Sequence, residues 1–197
     1  MNRTHFWTQR VVDQITVEAA RRGDREAQAK LLRELQDPWF RFCVSLLGNA
    51  DDARDAVQET ALRFLRDLSR FRGNSSITTW SMGIAINVTR EMRRKRSRTM
   101  LSITSETEDG ESGGDQPPED KKSESPDDRA AQRQSSQILR SMLKDLPERQ
   151  REAVVLRYFQ ELSVEETATA MNCAVGTVKA TVHQALRSLR TRMEQMA

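Results

Sequence analysis

The sequence is short of several residue types, and each shortage removes a class of function. It has only two cysteines in 197 residues, Cys43 and Cys173. They lie far apart, each within an apolar helical pattern. They read as small buried hydrophobes, not as a disulfide or a metal pair, and they suit a reducing, cytoplasmic setting. The two histidines, His5 and His183, stand outside any cluster of carboxylates or cysteines. Glycine is sparse, at eight residues, and no phosphate-binding glycine loop is present. Hydrolase, metal and nucleotide chemistry therefore have no visible seat, and no enzyme activity, metal or cofactor is expected. No window approaches the roughly 18 apolar residues of a membrane span. The opening "MNRTHFWTQRVVDQ" lacks the apolar core of a secretory leader, so no membrane insertion is expected.

Charge is abundant instead. Charged residues make up 31 % of the chain against 37 % hydrophobic, a balance that suits small helical cores. The net charge of +3 conceals an asymmetry. Between Thr104 and Asp128 ten acids face two lysines, a net of −8, which leaves +11 on the rest. A basic body with an acidic insert points to nucleic acid as a partner.

Composition divides the chain into three: residues 1–98 with helical periodicity, 99–134 rich in Ser, Glu, Asp, Gly and Pro, and 135–197 helical again. The middle stretch has too little apolar surface to offset its ordering entropy and reads as a disordered or extended acidic linker. No repeat or strand pattern appears. The expected fold is all-α, with two small helical domains on a flexible tether.

In the first domain, "DDARDAVQETALRFLRDLSRF" sets Ala53, Val57, Ala61, Phe64, Leu68 and Phe71 on one apolar face, with Asp51 or Asp52 available to cap it. Upstream, two helical stretches separated near Pro38 put Leu31, Leu35, Phe42 and Leu46 in phase. The exposed row Asp55, Gln58, Glu59 and Leu62 reads as a solvated face supported by an Asp55–Glu59–Arg63 pattern.

The stretch "SSITTWSMGIAINVTREMRRKRSR" follows. Ile77, Trp80, Ile84, Val88 and Met92 form a core stripe. Thr79, Gly83, Asn87, Arg90 and Arg94 form a second stripe, small and polar at one end and cationic at the other. Arg93, Lys95, Arg96 and Arg98 bring the total to six cations in nine residues. That exceeds what a helix end needs for its dipole and fits phosphate contact. The loop "RGNSSITT" before it, with Arg72, Asn74, Ser75, Ser76 and Thr79, can hydrogen-bond the edge of an unstacked base.

In the last domain, a break at Pro147 precedes "SVEETATAMNCAVGTVKATVHQALRSLRTRM". Ser163 with Glu166 fits a capping box, Asn172 suits a left-handed turn, and Val178, Val182, Leu186, Leu189 and Met193 line the following helix. This is a helix-turn-helix pattern. Thr177, Lys179, Ala180, Thr181, His183, Gln184 and Arg187 lead its second helix, and most lie off the apolar face, within reach of a major groove. A plain helical hairpin in a core is the competing reading.

These blocks resemble a known family. The "DARDAVQET" to "RRKRSR" segment is similar to region 2 of extracytoplasmic-function sigma factors, and "LPERQREAVVLRYFQELSVEETATAMNCAVGTVKATVHQALRSLR" is similar to their region 4. The resemblance implies a bacterial, cytoplasmic specificity subunit that binds core RNA polymerase (its β and β′ subunits) and promoter DNA under control of an anti-sigma factor. It implies that Asp55, Gln58 and Glu59 dock on the β′ clamp helices. The loop and helix from Phe71 to Arg98 would melt and capture the −10 element, and the helix from Thr177 would read the −35 element. The acidic linker would thread the polymerase toward the RNA exit path. Ala180 stands where the family commonly has Ser, and Thr181 and Gln184 stand where it commonly has Arg, which implies fewer phosphate contacts at the −35 element. A helix-turn-helix regulator that binds duplex DNA without polymerase is the alternative reading.

Overall fold

The structure is a computed structural model that describes residues 12–103 and 141–196, with the side chains of 100–103 and 196 left aside. Among the described residues every regular element is helical. The N-terminal residues 1–11 and most of the acidic linker, 104–134, lie outside them.

Helix α1 (Gln14–Arg21) begins at Asp13, whose carboxylate accepts from the Ile15 amide at 3.0 Å. Helix α2 (Arg25–Leu47) is capped by Asp24 and ends at Gly48, with φ of +84°. The break expected at Pro38 is absent, since α2 runs through it. Leu31, Leu35, Trp39, Phe42 and Leu46 are all buried and keep one helical phase across the proline. An interior proline costs roughly 3 kcal/mol in an exposed helix. Here a face of fully buried large side chains offsets it.

Helix α3 (Ala50–Asp67) is capped by Asn49 and not by Asp51 or Asp52. The Asn49 side chain accepts from the Asp52 amide at 2.7 Å, which leaves both acids in the first turn, where they favour the helix dipole. A 3₁₀ turn (Leu68–Arg70) follows, and Gly73, with φ of +74°, turns the chain toward α4 (Ile77–Ile103). α4 continues five residues past Arg98, so the domain limit placed there falls inside the helix.

Among the described residues the C-terminal unit opens with a helical turn at 141–144, followed by α5 (Glu148–Val154) after Pro147. α5 passes into one π turn (Val155–Phe159), closed by the Gln160 amide donating to the Val155 carbonyl at 3.0 Å. Helix α6 (Val164–Met171) carries the expected capping box. The Ser163 hydroxyl accepts from the Glu166 amide at 3.0 Å, and the Glu166 carboxylate accepts from the Ser163 amide at 2.8 Å. Asn172 adopts φ +50°, ψ +58°, the left-handed turn, and α7 (Val175–Met196) follows.

The core face of α7 differs from the expected one. Val178 and Ala185 are buried and Val182 and Leu189 pack partly, while Leu186 and Met193 are exposed. A face built on 178, 182, 185 and 189 follows the 3.6-residue period, whereas steps to 186 and 193 drift off it.

The two units share one core. Leu35, Trp39, Phe42, Phe64, Met82 and Ile86 from the first half cluster with Leu143, Leu146, Val155, Leu156 and Met171 from the second. Trp39 is fully buried and donates its Nε1–H to Ser81 Oγ at 3.0 Å. Its ring meets Phe64 edge-on at 5.4 Å, and Phe64 meets Trp80 at 5.5 Å. Trp80, half-buried, also lies 5.1 Å from Phe71. Aromatic side chains therefore tie α2, α3, α4 and the loop before α4 together. Cys43 is buried, and desolvation pushes its thiol up to about 12; Cys173 is also free, so neither forms a disulfide.

Candidate nucleic-acid interface

The exposed row of α3 projects as the sequence implies. Asp55, Gln58 and Leu62 are exposed, Leu62 at 66 %. Glu59 is partly covered. It accepts from Arg63 Nε at 2.6 Å, while the Arg63 guanidinium pairs with both oxygens of Glu91 on α4 at 2.9 and 2.7 Å. These bonds, Glu91 first, raise the Arg63 pKa, and Arg63 in turn holds the Glu91 carboxyl below its usual range. Arg63 is thus the pin that orients Glu59 and fixes α3 to α4.

The α4 surface is divided. In the loop, Arg72, Asn74 and Ser76 are exposed and Ser75 is half-buried. The Ser76 hydroxyl accepts from the Thr79 amide at 3.0 Å and lies 2.8 Å from Thr79 Oγ1. Ser76 is therefore the cap of α4 as well as a loop hydroxyl. Farther along, Asn87, Arg94, Lys95 and Arg96 are exposed, with Arg96 Nη1 3.0 Å from Asp52.

The remaining members of the stripe face the C-terminal unit, which sequence periodicity does not indicate. Thr79 is fully buried and its hydroxyl donates to Glu166 on α6 at 3.3 Å. Arg90 makes a fork-to-fork pair with Glu152 of α5, Nε at 2.7 Å and Nη2 at 2.6 Å. Glu152 is wholly buried, and the pairing raises the Arg90 pKa. Arg93 stands 3.4 Å from Glu148. Gly83 packs so closely on α6 that a Cβ there would lie 3.3 Å from the Ala170 carbonyl. Three carboxylates of one unit thus meet the stripe of the other. A signal for this existed in Gly83, a glycine inside an apolar helix that marks a close approach. Glu152, three and four residues before buried Val155 and Leu156, was a second signal.

A further link lies at the end of α2. Arg151 donates to the Leu46 carbonyl at 3.3 Å, to the Leu146 carbonyl at 3.0 Å and to the Lys144 carbonyl. Burial, followed by repulsion from Arg93, lowers its pKa.

On α7, Thr177, Lys179, Ala180, His183, Gln184 and Arg187 are exposed off the Val178–Ala185 core face, while Thr181, three residues after Val178 and four before Ala185, is half-buried at its edge. The Thr177 amide donates to the Ala174 carbonyl at 2.9 Å, which starts the helix at the turn. This is the layout a recognition helix needs, with its first turns free and its far side anchored. Among the described residues no cluster of potential metal ligands exists, and no helix is long and apolar enough to cross a membrane.

Known proteins share the two-part organisation of the chain. Residues 31–99 match Sigma-70 region 2, and residues 136–189 match Sigma-70 region 4. The chain is 33 % identical to the RNA polymerase sigma-H factor of Pseudomonas aeruginosa, over 90 % of this chain and 91 % of that one. It is 31 % identical to the ECF RNA polymerase sigma-E factor of Escherichia coli K12, over 96 % and 98 %. The chain belongs to the extracytoplasmic-function sigma factors. As an alternative sigma factor it serves core RNA polymerase in promoter-specific initiation of transcription. Its fold is that of the sigma factor RpoE, solved in complex with the anti-sigma factor NepR from Bartonella quintana, with a TM-score of 0.66 at 24 % identity over 84 % of this chain and 96 % of that one. The N-terminal unit is sigma region 2 and the C-terminal unit sigma region 4.

Proposed function

We propose that this sigma factor assigns its three tasks to three faces. Asp55, Gln58, Glu59 and Leu62 of α3 dock on the β′ subunit of core polymerase. Arg72, Asn74, Ser75, Ser76 and Thr79, with Asn87, Arg90, Arg93, Arg94, Lys95 and Arg96, take the −10 element, the loop holding an unstacked base and the cations holding phosphates. Thr177, Lys179, Ala180, Thr181, His183, Gln184 and Arg187 read the −35 element. The layout is region 2 through Ile103, the linker to residue 134, and region 4 from residue 135. The tether lets two modest DNA contacts add through effective concentration.

The observation that carries this reading is α7. Its leading polar residues are exposed together, directly after a capped helix and a left-handed turn. An anti-sigma partner, like the one seen with RpoE, is part of the proposal. Run-off transcription with core polymerase over a promoter library tests it. Initiation from a set sharing two spaced elements is expected. DNA binding without any transcript would favour a regulator that acts alone.

A further inference from the structure

One member of the α3 row is held in place before any partner arrives. Asp55, Gln58 and Leu62 are exposed, but the Glu59 carboxylate is already engaged, its Oε1 accepting from Arg63 Nε at 2.6 Å. We propose that Arg63 is a positioning residue for polymerase docking, acting through Glu59, and that Glu91 of α4 fixes Arg63 in turn. The inference rests on the assignment of the α3 row to core polymerase.

Glu59 and Arg63 stand four residues apart with the acid on the N-terminal side, the favoured order on a helix. Alone, such a surface pair forms and breaks readily, because two long side chains must be held in one geometry. Here a second carboxylate removes that freedom. Glu91, 28 positions away on α4, accepts from Arg63 Nη1 at 2.9 Å and from Nη2 at 2.7 Å, one oxygen to each. A fork-to-fork pair fixes the guanidinium plane, and that plane dictates where the Nε–H points. The Arg63 side chain is 26 % exposed against 44 % for Glu59, so packing holds the arginine while the acid stays within reach of a partner. Among the described residues no hydrogen bond engages Glu59 Oε2, which is free for a partner cation. Asp52, 3.0 Å from Arg96, ties the first turn of α3 to the same helix.

Arg63 acts on Glu59 in two opposed ways. A row with two acids calls for a cationic partner, and the Arg63 charge offsets that of Glu59. On that ground alone, deleting Arg63 would tighten docking. Its geometry, however, removes the cost of ordering a glutamate on binding, so deleting it would loosen docking. Screening decides between the two. Glu59 and Glu91 are each about half-exposed, where charge effects are weak. Ordering one rotamer-rich side chain changes affinity by about 2- to 12-fold. Positioning is therefore the larger effect.

The test is titration of dye-labelled full-length chain with core polymerase, read by anisotropy, in a double-mutant cycle. Arg63→Met keeps an apolar stem and removes the fork, and Glu59→Ala removes the group to be positioned. Arg63→Met should weaken binding about three- to tenfold by itself and less than about 1.5-fold beside Glu59→Ala. Glu91→Gln should show the same dependence at about two- to fourfold. Tighter or unchanged binding by Arg63→Met would overturn the inference, because charge offset would then be all that Arg63 supplies. Equal losses in both backgrounds would also overturn it, since they mark a residue that serves the fold alone. If Arg63→Met unfolds, Arg63→Lys decides, because it keeps the charge and loses the planar fork. A loss of at least about twofold that disappears beside Glu59→Ala supports positioning, and wild-type affinity overturns it. Glu59→Ala by itself tests the docking row. A loss there, with Arg63→Met acting equally in both backgrounds, removes the positioning and leaves the row. No loss in Glu59→Ala combined with Asp55→Ala removes the row itself.

Discussion

Leu62 offers the sharpest test of the proposed polymerase face. A large apolar side chain that is 66 % exposed, on a row with Asp55 and Gln58, leaves most of its surface unused by the fold. Full burial of a leucine stabilises by about 1.5–3 kcal/mol. Two-thirds of that surface is still in water, so covering it on docking contributes about 1–2 kcal/mol. Removing it by Leu62→Ala should weaken core polymerase binding about 5- to 30-fold. Thermal stability should stay within about 1 kcal/mol of wild type, because only the covered third of the side chain is lost from the fold. The assay is titration of dye-labelled chain with core polymerase, followed by anisotropy. Ile15 on α1 is a matched control, since it is also exposed, at 78 %, but lies off the row. Ile15→Ala should leave affinity unchanged. A folded Leu62→Ala chain that binds as tightly as wild type would refute the docking row, and equal losses in the two variants would show that general stickiness was measured.

Two further outcomes are expected elsewhere. Gln184→Arg, which restores a cation on the exposed face of α7, should tighten binding to duplex promoter DNA and steepen the slope of log affinity against log salt by about 0.9; a parallel line would mean that the position does not reach phosphate. Glu91→Gln removes the Arg63 pair. Because the folded carboxyl titrates below its ordinary value, the pair stabilises the fold above the unfolded pKa and is lost as pH falls through the folded one. The variant should therefore melt slightly lower at pH 7, by under about 1 kcal/mol for a half-exposed pair. The difference should shrink as pH falls below the unfolded carboxyl value of about 4.3 and vanish once the folded carboxyl is also protonated, and a gap that persists in stronger acid would assign it to packing.

Local signals were the legible part of this fold. The phase of Ala53, Phe64 and Leu68, the Ser163–Glu166 box and the left-handed Asn172 each depend on neighbours a few residues away, and each stands where sequence logic puts it. Pro38 misled because a proline is a strong local signal, yet a buried face spanning it from Leu35 to Trp39 outweighs the lost backbone bond. The exposed rows on α3 and α7 were likewise visible as polar residues off an apolar phase. The covered half of the α4 stripe was not, because burial of Thr79 and pairing of Arg90 are decided by residues 62 and more positions away. Helical periodicity reports which face is buried but not which partner buries it.

The shared core also bears on cooperativity. Residues as distant as Trp39 and Leu156 lie in one apolar cluster, so neither region is a self-sufficient melting unit while they are joined. Small helical units bury only a modest share of their surface alone. Calorimetry of the joined chain should then give a single transition, and amides of α4 and α5 should exchange with solvent at a common rate. Once the regions part, each must draw its lost stability from polymerase and DNA, which makes the sigma factor fold-stable chiefly where it is either idle or fully engaged.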